Sequence, residues 1–226
     1  SQSVSTITMD DGKANVFSPA MLAELNGALD RAESDGGVVV IQGRDGLFSG
    51  GFDMGVFRSG DQEEIFTMLK GGAELTRRLL GFPQPTLAAC TGHSIAMGLF
   101  VLLSCDFRIG AASGCFFAAN EVAIGMTVPR FATAVCRQRL SPAAFNSGLC
   151  LAEFFDSGNA VAAGILDRVV QPDQLISAVT EKAQSFLKLD MESHRATKQR
   201  MRSELLAELE AAIAEDCAGW KERTKT

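Results

Sequence analysis

The sequence is poor in histidine and lacks the residue clusters from which metal sites are built. It has only two histidines, His93 and His194, far apart along the chain, and its six cysteines form no C-x-x-C pair. Since zinc-type sites need several His or Cys ligands at short spacing, no His-based metal site is expected. The cysteines are instead predicted to be reduced core residues of a cytosolic protein.

Long apolar runs and an excess of positive charge are also missing. Ser, Gly or a charged residue interrupts each apolar stretch well before the roughly 18 residues of a membrane-spanning helix. Segment 1–13 has neither the basic nor the apolar part of a secretory signal. The formal net charge of −6 argues against a nucleic-acid-binding surface. We therefore expect a cytoplasmic protein whose partners include neither membranes nor nucleic acid.

The chain does have enough apolar residues, 46% of 226, for one substantial core. Alternating or continuous apolar runs predict strands, and 3.6-residue periodicity predicts helices. Strands are predicted over 4–9, 38–43 and 86–91, with short ones in 105–112, 115–121 and 165–171. Helices are predicted over 18–32, 61–80, 129–139, 141–152, 157–164, 173–188 and 191–216. This order indicates an α/β core over 1–165 and a C-terminal helical region over 166–226.

Residues 46–53, GLFSGGFD, place three glycines shortly after the predicted strand 38–43. Glycine permits positive φ and lets a ligand approach the backbone closely. Neither G-x-G-x-x-G nor the P-loop pattern is present, so a phosphate cradle is not indicated. A tight turn that needs glycine only for its shape is the alternative interpretation, and this segment alone leaves it open.

A second glycine turn, TGHSIAMG at 91–98, follows the strand 86–91 and precedes an apolar helix. Amides near Met97 would lie at the helix N-terminus, where unpaired donors and the helix dipole favour an anion. Two such strand exits, each with a free N–H, could together stabilise an oxyanion. A glycine-assisted helix start explains the same pattern and remains the alternative.

Four segments, in this order and spacing, resemble the crotonase superfamily of enoyl-CoA hydratases and isomerases. They are FSGGFDM (48–54), FPQPTLAACTGHSIAMG (82–98), CDFRIGAASGCFFAANEVAIGM (105–126) and AGILDRVV (163–170). The resemblance, which runs from about residue 4 to 200, implies a crotonase (ClpP/crotonase-like) α/β fold. Such a fold is a spiral of β-β-α units in two roughly perpendicular sheets, with C-terminal helices that trimerise. The implied substrate is an acyl-CoA thioester, with no cofactor beyond its coenzyme A, and the implied assembly is a homotrimer or a dimer of trimers.

The resemblance also implies the catalytic groups. The amides of Phe52 and Met97 fall where the family grips the thioester oxygen, and Glu121 falls on one of the two glutamates of the hydratases. The other glutamate position is Phe100. A single carboxylate suits a Δ3→Δ2 double-bond shift, because one group can take the C2 proton and return it at C4.

Other chemistries stay open at this point. They are 2-enoyl-CoA hydration by Glu121 alone, thioester hydrolysis or decarboxylation, and acyl-CoA binding without catalysis. Without the resemblance, Glu121 would be interpreted as a helix-start carboxylate favoured by the helix dipole.

The resemblance implies further substrate-binding candidates around these groups. They are Lys13, Ala14, Ser49, Gly51, Asp53, Ala96, Phe100, Asn120 and Ile124. Asp53 is expected chiefly to bond loop amides. A nucleophile–base pair at 93–94 is not expected, because adjacent residues rarely face each other and no third partner is evident.

Two charged groups receive structural interpretations. Asp106 and Arg108 are expected to form a polar pair at a strand start. The basic segment 195–202 is predicted to be a solvated helix face, with contact to the phosphates of coenzyme A as the alternative.

Overall fold

A computed structural model describes residues 3–112 and 114–223, which form nine strands and nine α-helices. The strands are β1 (Val4–Thr8), β2 (Val38–Gln42), β3 (Gly46–Ser49), β4 (Thr86–Cys90), β5 (Gly92–Ile95), β6 (Phe107–Ala111), β7 (Phe116–Ala118), β8 (Phe155–Asp156) and β9 (Arg168–Val170). The helices are α1 (Pro19–Asp35), α2 (Met54–Ser59), α3 (Gln62–Gly81), α4 (Met97–Ser104), α5 (Arg130–Arg137), α6 (Pro142–Cys150), α7 (Ala160–Ala163), α8 (Leu175–Phe186) and α9 (Met191–Arg223).

From β2 to β7, consecutive strands alternate between two sheets. One sheet has the order β1-β2-β4-β6-β9 and is parallel throughout; the other has the order β3-β5-β7-β8, with only the β7–β8 pair antiparallel. The pairs β2–β3, β4–β5 and β6–β7 therefore each give one strand to each sheet before the chain enters a helix. This is the β-β-α repetition that the resemblance implies. The apolar run 38–41 is buried, as expected for a strand of a parallel sheet covered on both faces.

The long N-terminal helices begin where their capping residues predict. Ser18 Oγ accepts a hydrogen bond from the Met21 amide ahead of Pro19, and Asp61 accepts from the first-turn amides of α3. Helix α3 continues through Gly71 and Gly72. Neighbouring side chains pack closely against both glycines. A Cβ on Gly72 would lie 2.6 Å from the Phe52 ring, so glycine is required there for packing.

The sequence interpretation predicted β7, within 115–121, but missed the other three strands of the second sheet. Segments taken as turns contain β3 and β5, and β8 lies between two predicted helices. Strands of two to four residues are too short to show a period of two, so only their pairing in the folded chain identifies them. Strand β9, which lies beyond the predicted core boundary at 165, pairs with β6 in the first sheet.

The charged residues at the start of β6 find different partners from those expected. Asp106 pairs with Lys198 at 2.7 Å and with Arg202 at 2.9 Å, both on α9, while Arg108 pairs with Asp167. The expected Asp106–Arg108 pair is therefore wrong. So is the solvated face at Lys198, which is 6% exposed. Only the folded chain brings α9 against β6, so local charge spacing could not reveal these pairs.

The cysteines are all free, but they are not all core residues. Cys90, Cys105, Cys115 and Cys136 are buried as predicted, whereas Cys217 is half-buried and Cys150 is exposed on α6. In the part of the chain that the structure describes, no helix combines the length and apolar character needed to cross a bilayer.

Candidate active site

Three neighbouring parallel strands end at the same edge of the second sheet. Phe52 follows β3 by three residues, Met97 follows β5 by two, and Glu121 follows β7 by three. Since β5 lies between β3 and β7 and adjacent strands are spaced about 4.8 Å apart, the topology brings the three predicted catalytic positions to one place. Each alone is only a residue in a loop.

The Phe52 amide is left unused by the contacts that hold its loop. The Phe17 N–H donates to Gly51 O at 2.8 Å, and the Phe17 carbonyl oxygen accepts from the Asp53 N–H at 3.5 Å. These two hydrogen bonds make Phe17 and Phe52 a parallel bridge pair. In such a bridge the amide of the middle residue points away from the partner strand. Among residues 3–112 and 114–223 it has no hydrogen-bond acceptor.

The Met97 amide is the first of α4, and a strained residue precedes it. Ala96 has φ 49° and ψ −120°, a conformation that favours glycine. It is held by its own N–H, which donates to Ala118 O at 2.7 Å, and by its carbonyl, which accepts from Phe100 N at 3.1 Å. Within the described ranges the Met97 N–H has no acceptor. First-turn amides of a helix are free donors at its positive end.

Gly51 and Gly98 allow the two strand exits to meet. A Cβ on Gly51, whose φ is 98°, would lie 3.0 Å from Ile95 O and 3.6 Å from Met97 N. A Cβ on Gly98 would lie 2.7 Å from Ser49 O. Glycine at both positions therefore lets the segments that follow β3 and β5 approach each other closely.

A second layer of hydrogen bonds fixes the β3 exit. Ser49 is fully buried, and its Oγ donates to Asn15 O at 2.7 Å and accepts from Gly51 N at 3.1 Å. The Gly50 amide donates to Ala14 O at 2.8 Å. Ser49, predicted to bind substrate, is therefore a positioning residue, because its hydroxyl is already engaged and shielded.

Sequence reasoning missed Asn15, which holds the loop 10–16 against this exit. Asn15 is buried with φ 47°, and its Nδ2 donates to Met9 O at 2.8 Å and to Phe48 O at 3.3 Å. The Asp11 carboxylate accepts from three amides of the same loop. The run DDGKAN is rich in turn-forming residues, which was the available signal. Lys13 and Ala14 are exposed on this loop.

Glu121 is a buried carboxyl group with an unpartnered oxygen. It is 7% exposed, and within the described ranges its Oε2 has no hydrogen-bond partner. Burial raises the pKa of the Glu121 carboxyl above its usual value, and the hydrogen bond from its own amide only partly opposes this. A carboxyl group with a raised pKa at such a strand end is suited to proton transfer near neutral pH.

The Phe100 side chain lies in the hydrophobic core and does not line an open cavity. It is 1% exposed, and its ring packs edge-on against Phe131 with centroids 6.0 Å apart. Phe131 belongs to α5, which also carries Cys136, and burial together with the nearby Glu121 raises the pKa of the Cys136 thiol. The position at which the resemblance implies a second hydratase carboxylate therefore holds an apolar ring, and the predicted substrate contact of Phe100 has no exposed surface.

Of the remaining candidates, Asp53 has a structural contact, whereas Asn120 and Ile124 lie close to Glu121 in the sequence. Asp53 caps α2 by accepting from Gly55 N at 2.7 Å, as its expected structural role requires. Asn120 is half-buried beside Glu121, and Ile124 is exposed in the short 3-10 turn that follows.

Asp216 of α9 is a further residue that sequence reasoning missed. Its carboxylate accepts from the amides of Arg130 at 3.1 Å and Phe131 at 3.0 Å, so it caps α5 from a distant helix. No local pattern signals this contact. Within residues 3–112 and 114–223, no three His, Cys, Asp or Glu side chains lie together in a way that could hold a metal ion.

Comparison with known sequences gives a consistent family. The family model described as enoyl-CoA hydratase/isomerase matches residues 1–226. A probable enoyl-CoA hydratase, EchA17, of Mycobacterium tuberculosis is 28% identical over 153 residues, which cover 68% of this chain. The match spans 58% of that relative's own length. Enoyl-CoA delta isomerase 3 of Arabidopsis thaliana is 32% identical over 174 residues, which cover 72% of this chain and 70% of the relative.

Solved structures are similar over nearly the whole chain. The enoyl-CoA hydratase EchA3 of Mycobacterium ulcerans has a TM-score of 0.92 at 43% identity, covering 97% of this chain and 96% of that one. An apo enoyl-CoA isomerase of Mycobacterium tuberculosis has a TM-score of 0.90 at 41% identity, covering 96% and 95%. With its alternating two-sheet topology, the chain has the crotonase fold and belongs to the enoyl-CoA hydratase/isomerase family.

Proposed function

We propose that this protein shifts the double bond of a 3-enoyl-CoA thioester to the 2 position, with Glu121 as the proton carrier. The observation that carries the proposal is the buried Glu121 carboxyl group at the same sheet edge as two amides that have no acceptor in the described ranges. Phe100 stands where the resemblance implies a second carboxylate. The neighbouring Asp53 is already engaged in capping α2. The isomerases among its relatives support the same choice.

In the first step the Glu121 carboxylate takes a proton from C2, which the thioester acidifies. The electron pair of that C–H bond moves into the thioester, whose oxygen becomes negative. The Phe52 and Met97 amides donate to this oxygen, and in other enzymes one such donor lowers the barrier by about 3–4 kcal/mol. Because α4 begins at Met97, the positive end of its dipole adds to the stabilisation.

In the second step the protonated Glu121 returns its proton to C4. The electrons of the dienolate move back, the C3–C4 double bond is lost, and a C2–C3 double bond conjugated with the thioester forms. Nothing is consumed, and Glu121 ends as a carboxylate. The raised pKa of Glu121 suits this role, because the group must be both a base and an acid near neutral pH.

Hydration of 2-enoyl-CoA is the second candidate, favoured by the relatives that are named hydratases. It requires one group to activate water at C3 and a proton to be delivered to C2. With Phe100 packed against Phe131, Glu121 alone would have to perform both steps. We therefore expect hydration to be slow.

The two candidates are separated by assaying purified protein with 3-enoyl-CoA and, separately, with 2-enoyl-CoA. Isomerisation of the first that disappears in Glu121→Gln supports the proposal. Faster hydration of the second than isomerisation of the first would reverse the order of the candidates. Tight binding of both thioesters without turnover of either would leave an acyl-CoA-binding protein, and cleavage of the thioester would indicate a hydrolase.

We further infer that the chain assembles as a homotrimer or a dimer of trimers. Support comes from the exposed edge of the second sheet, where the Phe116 and Phe154 rings lie 6.3 Å apart and are each about half exposed. Exposed apolar rings in contact are typical of interaction surfaces. A light-scattering mass three or six times that of the chain is expected, and a monomer mass would contradict the assembly.

A further inference from the structure

Helix α5 packs against both parts of the candidate active site. Its Phe131 ring meets the Phe100 ring of α4 edge-on, and α4 begins with Met97, one of the two proposed amide donors. On the same helix, burial and then the nearby Glu121 carboxylate raise the pKa of the Cys136 thiol, so α5 also lies near the proposed proton carrier. The position of α5 therefore affects α4 and Glu121 together.

A short segment, residues 122–129, connects Glu121 to the first turn of α5. It is folded back on Glu121, whose carbonyl oxygen accepts from the Ile124 amide at 3.1 Å and from the Met126 amide at 2.8 Å. Helix α5 then begins at Arg130. Because so little chain lies between them, a displacement of the first turn of α5 would also displace Glu121.

The first turn of α5 is held by a residue of another helix. Pro129, which precedes it, offers no side-chain acceptor, and first-turn amides have no partner within their own helix. Asp216 of α9 supplies two acceptors: its Oδ1 lies 3.1 Å from Arg130 N and its Oδ2 lies 3.0 Å from Phe131 N. Asp216 is 8% exposed, and its carboxylate lies at the positive end of the α5 dipole. This contact therefore fixes the start of α5 relative to α9.

A neighbouring carboxylate on α9 provides a comparison. Glu215 pairs with the Arg130 guanidinium at 2.6 Å, but both side chains are more than half exposed, and solvent screens such a pair. Glu215 thus contacts the side chain of Arg130, whereas Asp216 contacts the backbone of Arg130 and of Phe131. Of these two adjacent acidic residues, only Asp216 is placed to control the position of the α5 backbone.

We propose that Asp216 is a positioning residue for the isomerisation, which holds α5 against Glu121 and α4 through the first two amides of α5. It acts through α5 and not on the substrate. This inference rests on the proposed function and deepens it by assigning a residue of α9 to the control of the proton carrier. Docking of α9 on α5 is thereby linked to the geometry of the proton transfer.

Asp216→Ala removes both acceptors and should release the first turn of α5. We expect kcat with 3-enoyl-CoA to fall at least about tenfold, because a displacement of about 1 Å at a catalytic group has effects of this order. KM should change less than about twofold, since the substrate contacts remain. Asp216→Asn keeps one acceptor oxygen and should recover part of the loss. Glu215→Gln, the matched control on the same helix, should leave kcat and KM unchanged.

The pH profile distinguishes positioning from a general loss of stability. Burial raises the pKa of Glu121. The titratable group near it on α5 is the Cys136 thiol, and neither α4 nor residues 122–129 carry a charged side chain. If α5 moves away in Asp216→Ala, water reaches Glu121 and its pKa falls, so the acidic limb of kcat/KM should move to lower pH. Asp216→Asn, which keeps a cap on α5, should move the limb less. An equal shift in both variants would mean that the charge of Asp216 acts directly on Glu121, and would overturn the proposal.

The pKa of Glu121 in the absence of substrate gives a readout independent of turnover. It is measured by NMR titration of protein labelled at the glutamate carboxyl carbons, with Glu121→Gln used for assignment. If Asp216→Ala lowers this pKa but the wild-type protein does not turn over 3-enoyl-CoA, the isomerase proposal fails and the positioning of Glu121 by Asp216 stands.

A second variant tests the same contact should Asp216→Ala fail to fold. Asp216→Glu keeps the charge but lengthens the side chain between the two helices, so it should also displace α5 and lower the pKa of Glu121. A Glu121 pKa equal to the wild-type value in every folded variant of Asp216 would overturn the inference, whatever the turnover.

Discussion

Gly98 lies so close to Ser49 that a Cβ on Gly98 would be 2.7 Å from the Ser49 carbonyl oxygen and 2.8 Å from its Cβ. Gly98 follows Met97 in the first turn of α4, and Ser49 ends β3 three residues before Phe52. The missing side chain at position 98 therefore sets the separation of the two amides that are proposed to hold the thioester oxygen.

Gly98→Ala should lower kcat by about a hundredfold, because a shift of about 1 Å in a catalytic donor has an effect of this size. The new methyl group can be accommodated only if α4 moves away from β3. Steady-state kinetics with 3-enoyl-CoA measures the loss.

Gly219→Ala is the matched control, since Gly219 is also helical and a Cβ there would have nothing within 4 Å. It should leave kcat unchanged and raise the free energy of unfolding by about 0.5–1 kcal/mol. Equal activity in the two variants would show that the Gly98–Ser49 contact does not position the amides.

Ala96→Gly should stabilise the protein. The backbone at Ala96 has φ 49° and ψ −120°, which costs a residue with a side chain about 1–3 kcal/mol, while glycine returns about 0.5–1 kcal/mol through the unfolded chain. The net gain of about 1 kcal/mol corresponds to a rise in Tm of about 2–4 °C, measurable by calorimetry. Ala211→Gly, at an exposed position of α9, should instead destabilise by about 1 kcal/mol. Destabilisation by both substitutions would refute the strain at Ala96.

Glu121→Gln should reduce isomerisation by at least about a hundredfold, because the proton carrier is lost. Its stability should not fall, since the amide replaces a buried carboxyl group whose Oε2 has no partner in the described ranges. Glu121→Asp keeps the chemistry but retracts the group, and it should retain part of the activity. Full activity in Glu121→Gln, with an intact unfolding transition, would remove Glu121 from the mechanism.

The buried Glu121 should also leave a signature in the pH dependence of activity and stability. Burial raises its folded-state pKa, so the unfolded chain loses this proton at lower pH than the folded one. Stability contributed at Glu121 therefore declines as pH rises from the usual glutamate pKa to the raised value. Over the same range kcat/KM should rise, since the base must be ionised. Urea unfolding of the wild-type protein and Glu121→Gln at several pH values checks the sign, and parallel curves would contradict it.

Asp106→Asn should cost about 3 kcal/mol, because it removes the carboxylate that faces Lys198 and Arg202. Burial alone would raise the pKa of Asp106, but the two cations outweigh it and hold the pKa below its usual value. The wild-type protein should therefore lose this stability as pH falls below the usual aspartate pKa, and the variant should not. Chemical denaturation at neutral and acid pH measures both effects.

The exposed Glu74–Arg77 pair supplies the comparison for Asp106. Glu74→Gln should change stability by less than about 0.5 kcal/mol, since an exposed pair is screened by solvent. A comparable loss in the two variants would mean that the Asp106 pairs contribute no more than a surface contact.

Much of the secondary structure could be predicted from the sequence, because the signals for it lie in residues that are close along the chain. The start of α1 follows from Ser18 and Pro19, and β2 follows from the apolar run at 38–41. The glycines of the two strand exits also stand out in the sequence. What each exit does depends on its partner, however, and Gly51 is informative only once Met97 is seen beside it.

By itself, the sequence determined the long helices, the longer strands and the two glycine exits, because periodicity, capping and turn chemistry act between residues close along the chain. Tertiary structure alone decided the second sheet, the burial of Glu121, the partners of Asp106 and the capping of α5 by Asp216. Each of these depends on residues that are distant in sequence. Their free energies arise from desolvation and from contacts that exist only after the chain has folded.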